Sequence, residues 1–342
     1  METIKKTAPG VGLCLAIAVP AWFAGKAFPI VGGAVIAILA GMVLAQFLPV
    51  KGRAAAGIRF TAKKVLQWAV VLLGFGMDLH VVLRTGKQSL PIIVCTIATS
   101  LVLAAVLQKV LHVPGKAATL IGVGSSICGG SAIAAIAPAI DAEDRDIAFA
   151  MSATFLFDMV MIVLFPFMGK AMGMSDAAYG LWSGTAVNDT SSVVAAGYAF
   201  SEAAGDFAVM VKLTRTLAII PCVVIFTLVN IRLKRREFAD GASRGEQAVW
   251  NVRSIIPWFI LGFVAMAAVN SAGLIPAGLA LGMKEVSKFL MIAALASIGM
   301  NTSFRDMIKS GAAPMLHGFI ISALVVVVAL GVIWLEQGLG LL

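Results

Sequence analysis

The sequence predicts an all-α polytopic membrane protein: one transmembrane transporter domain over residues 1–342, with about eleven transmembrane helices, two of them discontinuous, and an inverted repeat. Three observations predict it. Of the 342 residues, 60% are hydrophobic and only 13% charged, and the mean hydropathy is +0.99; an average soluble domain carries about 25% charged residues. Apolar runs long enough to cross a hydrocarbon layer of about 30 Å recur along the whole chain. Two small, hydroxyl-rich, glycine-broken segments then interrupt that hydrophobicity.

Taken in order, the candidate spans are 7–25, 29–49, 65–83, 90–108, 117–140, 147–168, 177–200, 207–230, 254–270, 289–303 and 313–335. The first follows Lys5 and Lys6 without an obvious small-x-small cleavage site, as a retained signal anchor does. The fifth and seventh are the glycine-broken, polar ones, where a re-entrant segment is the alternative to a full crossing, and the tenth is short. With the N-terminus inside, eighteen Lys and Arg fall on inner segments and six on outer loops. The positive-inside rule then places the N-terminus in the cytoplasm and the C-terminus outside. The net charge of +9 is thereby a matter of topology rather than of nucleic-acid binding. Residues 231–253, which begin Ile-Arg-Leu-Lys-Arg-Arg, fit a cytoplasmic linker or an interfacial helix drawn to anionic lipid.

The two polar segments are related. At a constant offset of 60, Ser125 matches Thr185, Ile127 matches Val187, Ser131 matches Ser191 and Ala135 matches Ala195. Backbone without helical bonds is costly in hydrocarbon and persists where it lines a cavity or binds a ligand; tight helix packing on small residues is the structural alternative. Gly129 and Gly130 let the chain turn and approach a ligand. Ser125, Ser126, Ser131, Thr190, Ser191 and Ser192 supply hydroxyls, and Cys128 lies among them. A second similarity, at an offset of 223, matches Gly76-Met77-Asp78 with Gly299-Met300-Asn301 and Pro91 with Pro314. It suggests inverted halves of about 1–170 and 171–342.

Ionisable residues embedded in apolar segments mark function in membrane proteins. Here they are Asp78, Asp158, Asp189, Lys212 and Arg215, with His80 near the outer end of the third span. Lys212 and Arg215, three apart, share one helix face. They call for anionic partners: Asp158, Asp189, a bound oxyanion held by the planar guanidinium, or a packing pair of Asp189 with Arg215. Asn188-Asp189 could hold a proton or Na+ and couple its gradient to transport. Asp158, in Phe-Leu-Phe-Asp-Met-Val, is a second candidate proton carrier.

Enzyme chemistry has little support. The chain has no His-Glu-x-x-His helix and no Walker loop, and no embedded His stands beside a nucleophilic Ser. The four cysteines lie in apolar segments without ligand spacing, so no cofactor and no metal site beyond a possible Na+ is expected. His112 and His317 fit span boundaries better than ligands.

Gly124-Ser-Ser-Ile-Cys-Gly-Gly-Ser-Ala-Ile-Ala-Ala, Gly184-Thr-Ala-Val-Asn-Asp-Thr-Ser-Ser-Val-Val-Ala-Ala and Val211-Lys-Leu-Thr-Arg-Thr-Leu resemble the UPF0324 family of bacterial inner-membrane proteins, which carries the name of a sulfate exporter family. The similarity includes the Gly-Met-Asn-Thr-Ser-Phe-Arg segment near the C-terminus. The resemblance implies a relative of the cation:proton antiporter and anion transporter superfamily, with inverted repeats, two discontinuous helices crossing at mid-bilayer, and commonly a homodimer. It also implies export of sulfate, sulfite or a small sulfonate across the bacterial inner membrane. The leading expectation is therefore a secondary exporter of a small inorganic or organosulfur anion. Residues 125, 126, 128–131, 188, 190–192, 212 and 215 would bind the substrate, and Asp158 or Asp189 would carry H+ or Na+. A cation:proton antiporter working through Asn188 and Asp189 is the alternative, and a non-transporting receptor or enzyme a remote third.

Overall fold

The computed structural model describes residues 2–27, 32–47, 52–239, 258–301 and 311–339. The described residues are almost entirely helical and contain no strand. In chain order the helices are α1 (Glu2–Ala27), α2 (Gly32–Phe47), α3 (Gly52–Phe60), α4 (Leu66–Leu73), α5 (Leu79–Val110), α6 (Gly115–Ser126), α7 (Gly130–Ile136), α8 (Asp144–Ala171), α9 (Asp176–Ala186), α10 (Thr190–Phe200), α11 (Glu202–Thr216), α12 (Ile219–Ala239), α13 (Trp258–Ser271), α14 (Ala277–Asn301) and α15 (Ala312–Gly338). Expectations resting on 240–253 of the linker, and on the Thr302–Arg305 part of the C-terminal motif, lie outside the described residues.

Five helices or helix pairs are long and apolar enough to cross a membrane: Thr7–Ala27, Leu79–Val110, Arg145–Ala171, Glu202–Arg232 and Ala312–Gly338. Their outer faces carry large exposed apolar side chains such as Val94, Val102, Phe167, Val224, Leu228 and Val327. Helix contacts depend on small residues, as they must where lipid is as apolar as leucine. Gly10 and Gly57 lie face to face between α1 and α3, and Gly41 and Gly299 bring α2 against α14; a Cβ at any of these would strike the opposite backbone.

Residues 117–140 and 177–200, counted among the eleven spans with re-entrant segments as the alternative, each fold back on themselves. Lys116, at the start of α6, donates to the carbonyl of Asp141, just past α7, at 2.6 Å. Tyr179 of α9 donates to the carbonyl of Ala196 of α10 at 3.0 Å and stacks on Phe200 at 3.9 Å between ring centroids. Ser201 donates to Asp176 at 2.6 Å, closing the base of the second pair. The reversal has a local cause. Gly129 adopts φ 62°, ψ −128°, a conformation closed to L side chains. Val187 and Asp189 are extended, at φ −78°, ψ 136° and φ −89°, ψ 147°. Half-helices of 12 and 11 residues are about 16–18 Å long, about half a bilayer core.

The hairpins enter from opposite ends. Hairpin α6–α7 starts where α5 finishes; α8 then runs to the other end, where α9 begins. The end holding residues 115 and 141 is here the first end, and that holding 176 and 201 the second. The hairpins pack with α5, α8, α11, α12 and α15 into one bundle; α1–α4, α13 and α14 form the other. An apolar cluster with Ile38, Val70, Leu73, Phe263, Met291 and Leu295 on one side and Val194, Ala199, Val209 and Leu213 on the other joins the bundles. The segments matched at an offset of 223 terminate at opposite ends: α4 packs along α14 with Gly76 beside Lys284, at the helix end away from Asn301.

Asp78 is not part of a buried site. It caps α5 at the second end, accepting from the backbone N–H groups of His80 and Val81 at 2.7 and 3.2 Å. His317 lies within the first two turns of α15. It is fully buried on α15, with Nε2 3.2 Å from the carbonyl of Ala104.

Candidate functional site

The hairpin tips, residues 127–129 and 187–189, meet in the interior. A Cβ at Gly129 would lie 3.3 Å from the Asp189 Cβ. Strained backbone and close approach together predict that Gly129→Ala lowers stability by about 2 kcal/mol, read as a reduced thermal midpoint in detergent; an unchanged midpoint would mean the tips do not pack this closely.

Two helix C-termini, α6 and α9, end at the tips with free carbonyls, and α11 supplies cations to both. Lys212 Nζ donates to the carbonyls of Ile127 (2.7 Å) and Val187 (3.0 Å). Arg215 donates through Nε to Ser126 O (2.6 Å), Nη2 to Ser125 O (2.7 Å) and Nη1 to Val187 O (3.2 Å). Both side chains are fully buried. The anionic partners that the sequence demanded are thus the partial negative charges of two helix ends. Arg215 does not pair with Asp189.

On the other side of the tip, both Asp158 oxygens accept backbone N–H groups, from Asn188 at 3.0 Å and Asp189 at 2.9 Å. Asp189 caps α10, accepting from the backbone N–H of Ser191 at 2.9 Å and from its hydroxyl. A chain of polar groups links the tips to α15: Asn188 Nδ2 donates to Ser322 Oγ and Ser322 Oγ to Ser125 Oγ, each at 3.2 Å. The Asn188 Oδ1 atom is buried without a partner.

A cavity of about 540 Å³ lies between the bundles and ends on the tips. Of the sequence candidates, Gly130, Ser131, Asp189, Thr190 and Ser191 line it. Ser125, Ser126, Cys128, Asn188, Ser192, Asp158, Lys212 and Arg215 are buried behind that wall. Polar groups outside the candidate set complete the lining: Lys63, Gln67 and Asn301 on the facing bundle, and Ser152 of α8 beside the hairpins. Lys63 and Asn301 are exposed and mark the mouth at the first end. Among the described lining residues, Lys63 is the lone cation and Asp189 the lone carboxylate. A π-helical turn over Thr61–Val65, where Thr61 Oγ1 donates to Gly57 O at 2.9 Å, carries Lys63; such turns often mark functional positions. A signal for these residues was present: Lys63, Gln67 and Val70 form an i, i+4, i+7 stripe at the start of a span.

The sequence as a whole has close counterparts. A family model described as Conserved hypothetical protein 698 matches residues 9–318. A UPF0324 membrane protein of Clostridium tetani is 47% identical over 335 residues, covering 96% of this chain and 97% of the relative. The chain belongs to the UPF0324 membrane protein family. UPF0324 membrane proteins of Streptococcus pyogenes serotype M6 and Fusobacterium nucleatum are 43% and 42% identical, over 96% and 91% of this chain and 97% and 92% of theirs. In this UPF0324 protein, the matched region contains both hairpins, α11 and the cavity.

Proposed function

We propose that the protein is a secondary transporter of a small anion, working by alternating access between its two bundles. The observation that carries this reading is the cavity between bundles, closed at its base by two hairpin tips that approach from opposite ends. Backbone outside helical geometry is tolerated at membrane depth where it lines a cavity, and substrate sites of secondary transporters lie at such places. The chain would then cross the membrane nine times, with two re-entrant hairpins in place of two of the eleven expected crossings. Exchanging two crossings for two hairpins reverses α8 alone. Arg145 and Lys170 trade sides, and the bias of eighteen to six is unchanged. The N-terminus remains cytoplasmic in this topology, the C-terminus outside, and the cavity opens to the cytoplasm of the bacterial inner membrane.

Lys63 and the hydroxyls of Ser131 and Thr190 supply positive charge and donors for the anion, with the N-terminus of α10 adding its dipole. Lys212 and Arg215 act from behind by fixing the tips. Asp189 opposes an anion on the same wall unless a proton or Na+ neutralises it, which couples the two. Asp158, with both oxygens engaged by backbone, orients the tip. Sulfate, sulfite and small sulfonates remain the substrate class.

The test is flux of radiolabelled sulfate, sulfite and taurine into proteoliposomes under imposed pH or Na+ gradients. Saturable, gradient-driven anion flux supports the exporter. Proton flux driven by Na+ without any anion, dependent on Asp189, supports instead the cation:proton antiporter, which the unpartnered Asn188 Oδ1 beside Asp189 favours. Lys63→Gln is expected to raise KM for the anion about three- to tenfold with kcat little changed. An unchanged KM would take Lys63 out of the site.

A further inference from the structure

At the second end, away from the cavity mouth, the bundles are tied by charge. Lys284 of α14 lies 3.0 Å from Glu202 and 2.6 Å from Asp206 of α11, and Lys288 lies 2.7 Å from Glu202. Asp206 also accepts from Tyr198 of α10 at 2.6 Å, and Lys288 pairs with Glu285 on its own helix at 2.9 Å. Apart from the exposed acids Glu202 and Glu285, the participants are mostly buried: the side chains of Lys284, Asp206 and Lys288 are 18%, 14% and 14% exposed. The acids sit at the base of the second hairpin and the lysines on the other bundle. A rearrangement that parted the two bundles at the second end would separate these partners. Gly76 leaves room for the lysine stem, since a Cβ there would fall 3.2 Å from Lys284 Cδ.

We propose that Glu202, Asp206, Lys284 and Lys288 form the gate that closes the second end, and that the cavity opens on that side only when this cluster parts. This rests on the two-bundle reading above and adds the residues that regulate its access. The cluster is multivalent and shielded, so it outweighs an isolated surface pair, yet no single contact in it is too strong to break in a working cycle.

The experiment needs no substrate. In full-length protein carrying Cys95→Ser, which removes the exposed native thiol, a Thr190→Cys thiol on the cavity wall is labelled with a membrane-impermeant maleimide. The reagent is added separately to each side of oriented vesicles. With the cluster intact, labelling is fast from the first end and slow from the second. Lys284→Gln, and separately Glu202→Gln with Asp206→Asn, should raise the second-end rate about tenfold, and Lys284→Arg should not. The buried Cys14, Cys128 and Cys222 report unfolding; a variant in which they react is replaced by Glu202→Gln alone. Second-end labelling unchanged in the neutralised variants, or raised equally by Lys284→Arg, overturns the gate. A Thr190→Cys thiol unreactive from both sides instead removes the cavity as the substrate site.

Discussion

Arg215→Ala is expected to cost about 3–5 kcal/mol of stability, as the removal of one member of a buried charge network does, and to lower the thermal midpoint in detergent by about 5–10 °C. The guanidinium, like the Lys212 ammonium, touches both hairpins, and it does so by three separate hydrogen bonds. Without it, the carbonyls of Ser125 and Ser126 lose these partners in an interior with no water to replace them, at about 1–3 kcal/mol each. Lys212 still serves Val187 and Ile127, so the second hairpin is hurt less than the first. Arg215→Lys should recover part of the loss, since an ammonium keeps the charge but cannot span the positions reached by Nε, Nη1 and Nη2. A variant with an unchanged midpoint and abolished flux would contradict this and return Arg215 to direct contact with the substrate.

How much of this was legible in the sequence differs from element to element. Membrane class and helical content follow from composition, because hydrocarbon admits few alternatives for the backbone. The offset of 60 between the polar segments marked the two stretches, 125–136 and 185–196, within which both tips lie, since small and hydroxylated side chains suit a chain that turns inside a bilayer. That each segment folds back was not legible. A half-helix pair spanning 24 residues has the same length and hydropathy whether it continues or reverses, and only contacts such as Tyr179 with Ala196 distinguish them. The charges illustrate a second limit. Lys212 and Arg215 lie at the tips, but a sequence displays side-chain charges and not the carbonyls freed at helix ends, so the partners expected for them were carboxylates and anions. Lys63 escaped notice because it stands beside Lys64 in a loop whose charge the topology had already explained. The stripe it shares with Gln67 and Val70 gives one helix face, but that this face lines a cavity opposite the hairpins depends on tertiary packing, which the stripe alone does not encode.

Asp189→Asn should separate the fold from the coupling at the same position. Asparagine caps a helix about as well as aspartate does, and its amide oxygen can accept from the Ser191 N–H as the carboxylate does now. The cap is therefore retained, and stability should change by less than about 1 kcal/mol. What the substitution removes is the one carboxylate among the described lining residues. If that charge holds the coupling ion, gradient-driven anion uptake falls at least about tenfold, while exchange of anion for anion at equal concentrations persists, since an empty or neutralised Asp189 no longer has to be reloaded. The same variant leaves Asp158, with both oxygens bound to the backbone of Asn188 and Asp189, as the remaining acid at the tips. Gradient-driven flux that survives Asp189→Asn would therefore move the coupling role to Asp158. Loss of both exchange and net flux in a protein of normal stability would show that the carboxylate contacts the substrate itself, and so would assign the cavity a cationic or zwitterionic ligand in place of an anion.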